Sequence, residues 1–421
     1  MVNIGWIRHI HTFESLRLRD YRLLWLGQLS TALGIWMDQV SRTWLIYILT
    51  HSALQLGLVS AVRGIPLIAF GAIAGAVADR YGRKTQLIIA QVVNAVLNLI
   101  LATLVLTGHV QIWHVYVTGF LSGTVQAFQV PGRQALVNDL VGREHLQNAI
   151  ALNAAAVNLS RSVGPALSGV LIEGLGIDIS YFMQAGIFVL ATVWTVQIRI
   201  PEARGSREKK STHLASQSLL SSTREGFAYI LSNRLILTLM VLGLAPVVMG
   251  MSFVSLMPVF AVDVFHSGAA TQGVLLTMLG VGAILGALTI ATLGRRQTSG
   301  KLLIAGAAGF GLCLVLFSRS PIVLVAAFFI FLAGFFNSSY TSQNQTIIQL
   351  LTPQPFLGRV VGIYMLNFGF LPLGSLLAGA LADLLGGPWA VTLMGTSCFV
   401  LAVGIGFYAP RLWHLNFIPE K

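Results

Sequence analysis

Four charged side chains lie far from the ends of long apolar runs in this chain: Asp38, Arg42, Arg63 and Arg161. A charge at the centre of such a run costs about 2.5–3.5 kcal/mol when its surroundings are hydrocarbon. These residues must therefore face one another or water. Asp38 and Arg42 are four apart on one helix face, so an intrahelical ion pair accounts for both. The same carboxylate could instead carry a proton, because a change of surroundings or of guanidinium neighbour would switch its protonation. Both readings stand at this level, and no other acidic residue lies as deep within an apolar run.

Other chemistries are poorly served. Gly294 to Lys301 has the look of a phosphate loop, but five residues separate Gly294 from Gly300, and Leu302 stands where Ser or Thr is needed. His9 and His11 make a poor metal site, and neither H-E-x-x-H nor G-x-S-x-G occurs. Cys313 and Cys398 sit in apolar runs without redox or metal spacing and read as small buried residues. An enzyme is not expected, nor any metal or cofactor. Uncharged polar groups are more abundant: Asn337, Tyr340, Gln343 and Asn344 fall in one run, with Gln126, Gln129, Asn153, Asn158 and Asn367 elsewhere. With Met249 and Phe253 they form the expected lining of a substrate cavity, although polar packing between helices uses the same residue types.

The elements that would position these groups follow from composition. The 421 residues are 55% apolar and only 10% charged, with a mean hydropathy of +0.79, against about 25% charged for a soluble domain. Runs of about 20 apolar residues bounded by charges fit membrane helices. Breaking them at charges, Pro and Gly clusters gives twelve spans near 22–49, 55–78, 86–107, 112–132, 147–174, 179–199, 235–262, 271–293, 301–318, 321–348, 360–385 and 388–409. The net charge of +12 would suggest nucleic acid in a soluble protein, but here its distribution argues for membrane topology and no nucleic acid is expected. With the N-terminus inside, Arg80, Arg83, Lys84, Arg133, Arg143, Arg295, Arg296, Lys301, Arg359 and Arg411 all fall on the cytoplasmic side, and Arg319 is the lone outer cation.

Residues 1–21 are expected to form an interfacial segment, with Trp6, Ile7, Ile10 and Phe13 at near-helical spacing rather than a cleavable signal. A first six-helix bundle over 22–199, a cytoplasmic linker over 200–234, a second bundle over 235–409 and a tail over 410–421 complete the division. Two echoes support duplication. Gly169 to Glu173 is repeated 210 positions later as Gly379 to Asp383, and Gly82-Arg83-Lys84 returns as Gly294-Arg295-Arg296. Parallel repeats of this kind place a binding site between the halves near the midplane.

Gly75, Asp79, Arg80, Gly82, Arg83 and Lys84 match the pattern G-x-x-x-D-R-x-G-R-[RK], which resembles the loop between spans two and three of the major facilitator superfamily. The second copy has Ala291 where Asp79 would fall. The resemblance implies a cytoplasmic gate in which the Asp and Arg side chains pair with neighbouring helix ends when that side is shut. Gly164, Pro165 and Gly169 resemble the antiporter motif of exporters in this superfamily, with Ser168-Gly169 where many members have Gly-Gly. Pro131 to Leu136, Asn148 to Asn153 and Arg224 to Tyr229 extend the similarity to the branch of macrolide, multidrug and enterobactin exporters.

The expected protein is thus an all-α membrane protein of twelve transmembrane helices in two pseudo-symmetric six-helix bundles, multi-pass in a bacterial inner membrane with both termini cytoplasmic. Its partners would be the lipid bilayer, a small-molecule substrate and protons. The expected activity is proton-coupled export of an amphipathic small molecule, drug-like or siderophore-like, by alternating access. The alternatives are a lysophospholipid flippase of the same superfamily and a non-transporting receptor. A lateral apolar opening would favour the flippase, and a sealed polar cavity the exporter of a soluble substrate.

Overall fold

The computed structural model describes residues 14–199, 219–293, 299–409 and Leu412. Within these, the side chains of 71–81, 143, 219–223, 293 and 368 lie outside the description. The proposed interfacial segment around Trp6 to Phe13, the Gly294-Arg295-Arg296 echo and most of the tail also fall outside it.

The described chain is helical. Helices α1 (Arg19–Thr50), α2 (Ala53–Tyr81) and α3 (Arg83–Leu106) lead into a long run, α4 (Ile112–Leu175), and then α5 (Ile177–Val196). Sequence breaks place two spans at 112–132 and 147–174 with a loop between them. In the structure that loop is a single residue, Gly142, whose φ of 69° turns the chain between two helical arms. Arg133 and Asp139, which the charge rule assigns to the loop, continue the first arm, because charge alone does not break a helix. Gly can take this left-handed conformation at little cost.

The second set begins after α6 (Leu219–Ser232), a helix within the 200–234 segment. Helix α7 (Arg234–Ala245), started by the Asn233 side chain accepting from the amides of Leu235 and Ile236, runs on through several irregular turns to Val264. Those turns are a π turn at Pro246–Gly250, a 3₁₀ turn at Met251–Leu256, the short α8 (Met257–Val259) and a π turn at Phe260–Val264. Pro246 has no amide hydrogen to give to the preceding turn, and the ladder shifts register there. Then follow α9 (Ala269–Leu293), α10 (Gly300–Ser318), α11 (Val323–Leu351), α12 (Gln354–Met365), α13 (Leu371–Leu385) and α14 (Gly387–Tyr408). A 3₁₀ turn at Leu366–Phe370 joins α12 to α13, so the expected continuous span over 360–385 is interrupted next to Pro372.

Among the described residues, eight stretches are long and apolar enough to cross a membrane. Their outward faces remain apolar: Leu324 and Phe407 are each 80% exposed. Side chains of this kind facing outward around a buried core need lipid rather than water as their solvent.

Helix ends group at two poles. At one pole Asp20 accepts from the Arg199 amide, Arg83 pairs with Asp139 at 2.7 Å, and the Lys84 ammonium donates to the carbonyls of Val196 and Ile198. An apolar cluster of Tyr21, Leu24, Leu87, Leu136 and Leu152 packs beneath them. The other pole carries the turns at His51, Gly176, His266 and Gly386, and there the two sets of helices meet.

Candidate functional site

The deep charges come together. Arg42 grips Asp38 with two donors, Nε to Oδ2 at 3.1 Å and Nη2 to Oδ1 at 2.9 Å, and its Nη1 donates to the Val115 carbonyl and the Thr118 hydroxyl on α4. Arg63 of α2 reaches the same carboxylate, Nη1 to Oδ2 at 3.1 Å. One Asp thus ties α1 to α2, and Arg42 ties α1 to α4. The intrahelical pair read from the i, i+4 spacing is present, enlarged into a buried triad by Arg63. Arg161 stands apart, its guanidinium 5.4 Å from the centre of the Trp36 ring.

These side chains border a cavity of about 310 Å³ between the two sets of helices. Arg42, Arg63, Arg161, Gln39 and Gln126 line its first wall, and Met251, Val254, Leu276, Leu279 and Leu371 its second. At both seams beside the cavity a glycine lets the two sets approach closely. A methyl on Gly280 of α9 would lie 2.8 Å from the Ser162 hydroxyl, and one on Gly64 of α2 would run into the Pro372 ring.

Towards the pole of the His51 and His266 turns, the same cross-set contact occurs twice. Asp383, at the end of α13, accepts from the Ala53 amide at 2.7 Å and from the Ser52 hydroxyl at 2.8 Å, at the start of α2. Glu173, at the end of α4, accepts from the Ala270 amide at 2.8 Å, at the start of α9. Carboxylates are favoured at helix N-termini, where amides lack intrahelical partners. One turn along, close helix approach depends on glycine. A methyl at Gly57 would lie 2.5 Å from the Ser375 carbonyl, and one at Gly273 the same distance from the Pro165 carbonyl. Gly379 faces Ala53 and Leu54, and Gly169 faces Ala269 and Ala270. The Gly169/Glu173 and Gly379/Asp383 echo seen in the sequence is therefore one closing device used on both seams. Tyr47 donates to Asp263 at 2.5 Å and Gln272 to Thr43 at 2.8 Å, adding to the closure.

The antiporter-like segment lies within this closure. Gly164 abuts Trp36 and the Leu33 carbonyl of α1, and Pro165 lines the cavity. Ser168, the departure from Gly-Gly, shares hydrogen bonds with Ser41 and Ser180. In the gate motif, Gly82 takes a φ of 80° in the α2–α3 turn, while Arg83 and Lys84 make the contacts at the opposite pole described above. Gly75, Asp79 and Arg80 lie on α2, but their side chains are outside the described ones.

Of the expected substrate lining, Gln126 borders this cavity. Phe253 and Tyr340 are instead core residues, packed against Phe317 and Phe310, because an aromatic side chain buries more apolar area there than at a pore wall. Gln343, Asn344 and Asn367 are buried inside the second set, Asn344 donating to the Leu239 carbonyl, and Gln129 is buried in α4. Asn158 is exposed and donates to its own helix at the Ala154 carbonyl. Asn153, Asn337 and Met249 are half-buried. Trp36, Gln39, Ser60 and Ser255 line the cavity without having stood out in the sequence. Only the proximity of Trp36 and Gln39 to Asp38 marked two of them.

Residues 10–418 match the model of a family described as transmembrane secretion effectors. The chain is 25% identical over 387 residues to the staphyloferrin A transporter of Staphylococcus aureus, covering 90% of this chain and 94% of that protein. It is 26% identical over 345 residues to the enterobactin exporter EntS of Citrobacter koseri, covering 82% and 80%. Against the multidrug efflux pump Tap of Mycolicibacterium fortuitum the identity is 26% over 402 residues, covering 94% and 96%. The crystal structure of the nucleoside transporter NupG shares the fold with a TM-score of 0.73 at 14% identity, covering 96% of this chain and 100% of that one. A bacterial homologue of the human lysosomal transporter Spinster does so with a TM-score of 0.73 at 12% identity, covering 96% and 98%. The chain is an integral, multi-pass membrane protein of the transmembrane secretion effector family, one of the transporter families of the major facilitator superfamily.

Proposed function

We propose that the protein is a secondary active exporter of an amphipathic small molecule, drug-like or siderophore-like, working by alternating access. The observation that carries this reading is a central cavity stoppered at one pole by a repeated carboxylate latch between the two sets of helices. Contacts at helix ends, made through a few hydrogen bonds and glycine seams, suit a joint that opens and closes. Twelve spans in two six-helix bundles follow if α1, both arms of α4 and the α12–α13 run cross the bilayer along with the eight apolar stretches. The cation-rich pole of Arg83 and Lys84 is then cytoplasmic, the latch pole faces outward, and both termini lie inside a bacterial inner membrane.

The gate motif of Gly75, Asp79, Arg80, Gly82, Arg83 and Lys84 is the counterpart lock on the cytoplasmic side. Asp38 is the proton site of the cycle: taking a proton requires release of Arg63 or Arg42, which links protonation to movement of α2 against α1. The close helix approach at both seams favours an exporter of a substrate entering from the cytoplasmic end over a lipid flippase, which needs a lateral opening. The relatives that are an enterobactin exporter and a multidrug efflux pump support the direction. Proteoliposomes with an imposed pH gradient test it. Uphill efflux of a substrate that stops when the gradient is collapsed is expected. Substrate binding with no flux under any gradient would leave the receptor reading in its place.

A further inference from the structure

We infer that the cavity selects an anionic amphiphile, a molecule with an acidic group at one end and an apolar body, and that Arg161 is its acid-binding residue. The inference rests on the exporter reading for the location of the site, but concerns equilibrium binding and is tested without any gradient.

Three guanidiniums, Arg42, Arg63 and Arg161, border the cavity, and one carboxylate, Asp38, is paired with two of them. No other described carboxylate borders the cavity: Glu173, Asp263 and Asp383 make the latch-pole contacts, and Asp139 and Glu225 pair with Arg83 and Arg359. The cavity wall therefore carries a surplus of two positive charges. Buried charge without a counter-ion is costly, and an anionic ligand relieves that cost where a cation adds to it.

The three arginines are not equivalent. Arg42 spends all three of its nitrogens on Asp38, Val115 and Thr118. Arg63 commits Nη1 to Asp38. Arg161 makes no ion pair among the described residues, and its contact is the face of Trp36. A guanidinium whose neighbour is an aromatic ring rather than a carboxylate has its planar fork of donors available for a carboxylate, sulfonate or phosphate oxygen pair. Gln39 and Gln126 border the same wall and add neutral donors. The opposite wall, Met251, Val254, Leu276, Leu279 and Leu371, carries no charge and supplies apolar and adaptable thioether surface for the rest of the molecule. The two walls together match a molecule with one acidic end and one apolar end.

The test uses three probes of one shape: 2-naphthoate, 2-naphthamide and 2-naphthylmethylammonium. Equilibrium binding is measured on the full chain in nanodiscs of zwitterionic lipid, with empty discs subtracted. Naphthoate is expected to bind at least about tenfold more tightly than the amide, as one charge-assisted contact would give, and the ammonium most weakly. In Arg161→Gln the preference for naphthoate over the amide should collapse while amide affinity stays at the wild-type level, which also reports an intact fold. Arg161→Lys, which keeps the charge, should retain most of the preference. Equal binding of acid and amide, tighter binding of the ammonium, unchanged discrimination in Arg161→Gln, or no binding by any of the three would each overturn the assignment. Loss of uphill flux with acid preference intact would instead count against the exporter reading alone.

Discussion

Replacing Asp383 by Ala removes one of the two latches without touching the cavity. Its carboxylate makes two hydrogen bonds across the seam, to the Ala53 amide at 2.7 Å and the Ser52 hydroxyl at 2.8 Å. Hydrogen bonds to charged groups contribute about 1.5–3 kcal/mol when shielded, but Asp383 is exposed at the protein surface. Solvent screening brings the latch down to about 1 kcal/mol. Because these bonds exist only when this pole is shut, their loss moves the equilibrium towards the form open at this pole by a factor of about 5. Glu173 makes a single cross-seam bond, to the Ala270 amide, so Glu173→Ala should shift it less. The two latches sit on different seams and share no partner, so their effects should add, giving a shift of at most about 25-fold in the double variant.

Electron–electron distance measurements read this out directly, with spin labels at His109→Cys and Ile322→Cys in a background lacking Cys313 and Cys398. Both sites lie in turns at the latch pole, one in each set of helices. The long-distance population should grow in the order wild type, Glu173→Ala, Asp383→Ala, double variant. An unchanged distance distribution in the double variant, or a shift towards shorter distances, would refute the assignment of these carboxylates as latches.

Three further perturbations follow from the same geometry. Gly57→Val and Gly273→Val each place a side chain where the Ser375 or Pro165 carbonyl sits in the closed state, so transport should fall at least about tenfold and the labelled pole should widen while folded yield stays near wild type; normal turnover would show that the seam tolerates separation. Asp38→Asn strips the counter-charge from Arg42 and Arg63, which should lower stability by about 3–5 kcal/mol and abolish pH-driven uphill flux; adding Arg42→Gln should recover the fold, seen by thermal melting, but not the flux, and recovered flux would return Asp38 to a structural role. Asp79→Asn should move the cytoplasmic pole towards its open form and slow turnover, checked by distances between labels on the two cytoplasmic halves.

What the sequence disclosed was what spacing and charge encode locally. Asp38 and Arg42 lie four apart, so their pairing could be read without a fold, whereas Arg63 joins them from another helix and could not be told from Arg161 as a further partner of Asp38. The Gly169/Glu173 echo was visible as a repeat, but its use was not, since it lies in which helix start each carboxylate meets, α9 for Glu173 and α2 for Asp383. The polar run from Asn337 to Asn344 misled most. A helix buried on several sides hides its amides in packing as readily as in a pore, and nothing in the residue types separates Gln126, which borders the cavity, from Asn344, which bonds the Leu239 carbonyl inside the second set. The loop expected between 132 and 147 failed for a similar reason: its charges are helix-compatible, and Gly142 alone marks the turn.

The ion triad and the latch are carried on the same two rods. Along α1, Asp38 and Arg42 hold the triad, and the next turn presents Thr43 and Tyr47 to Gln272 and Asp263 across the interface. Nine residues separate Asp38 from Tyr47, about 14 Å at the rise of an α-helix. On α2 the order runs the other way: Ser52 and Ala53 take the Asp383 latch, Gly57 lies one turn below, and Arg63 returns to Asp38. The Arg63–Asp38 bond therefore closes a loop from the latch pole, down one helix and up the other. While it holds, α1 and α2 meet the second set as one body, and Tyr47–Asp263 and Ala53–Asp383 close together. Once Arg63 lets go, the two helices are free to tilt separately, and each latch must stand on about 1 kcal/mol of its own. Because a packed interface of this kind has two arrangements rather than a continuum, the proposed protonation of Asp38 would bias which pole is shut.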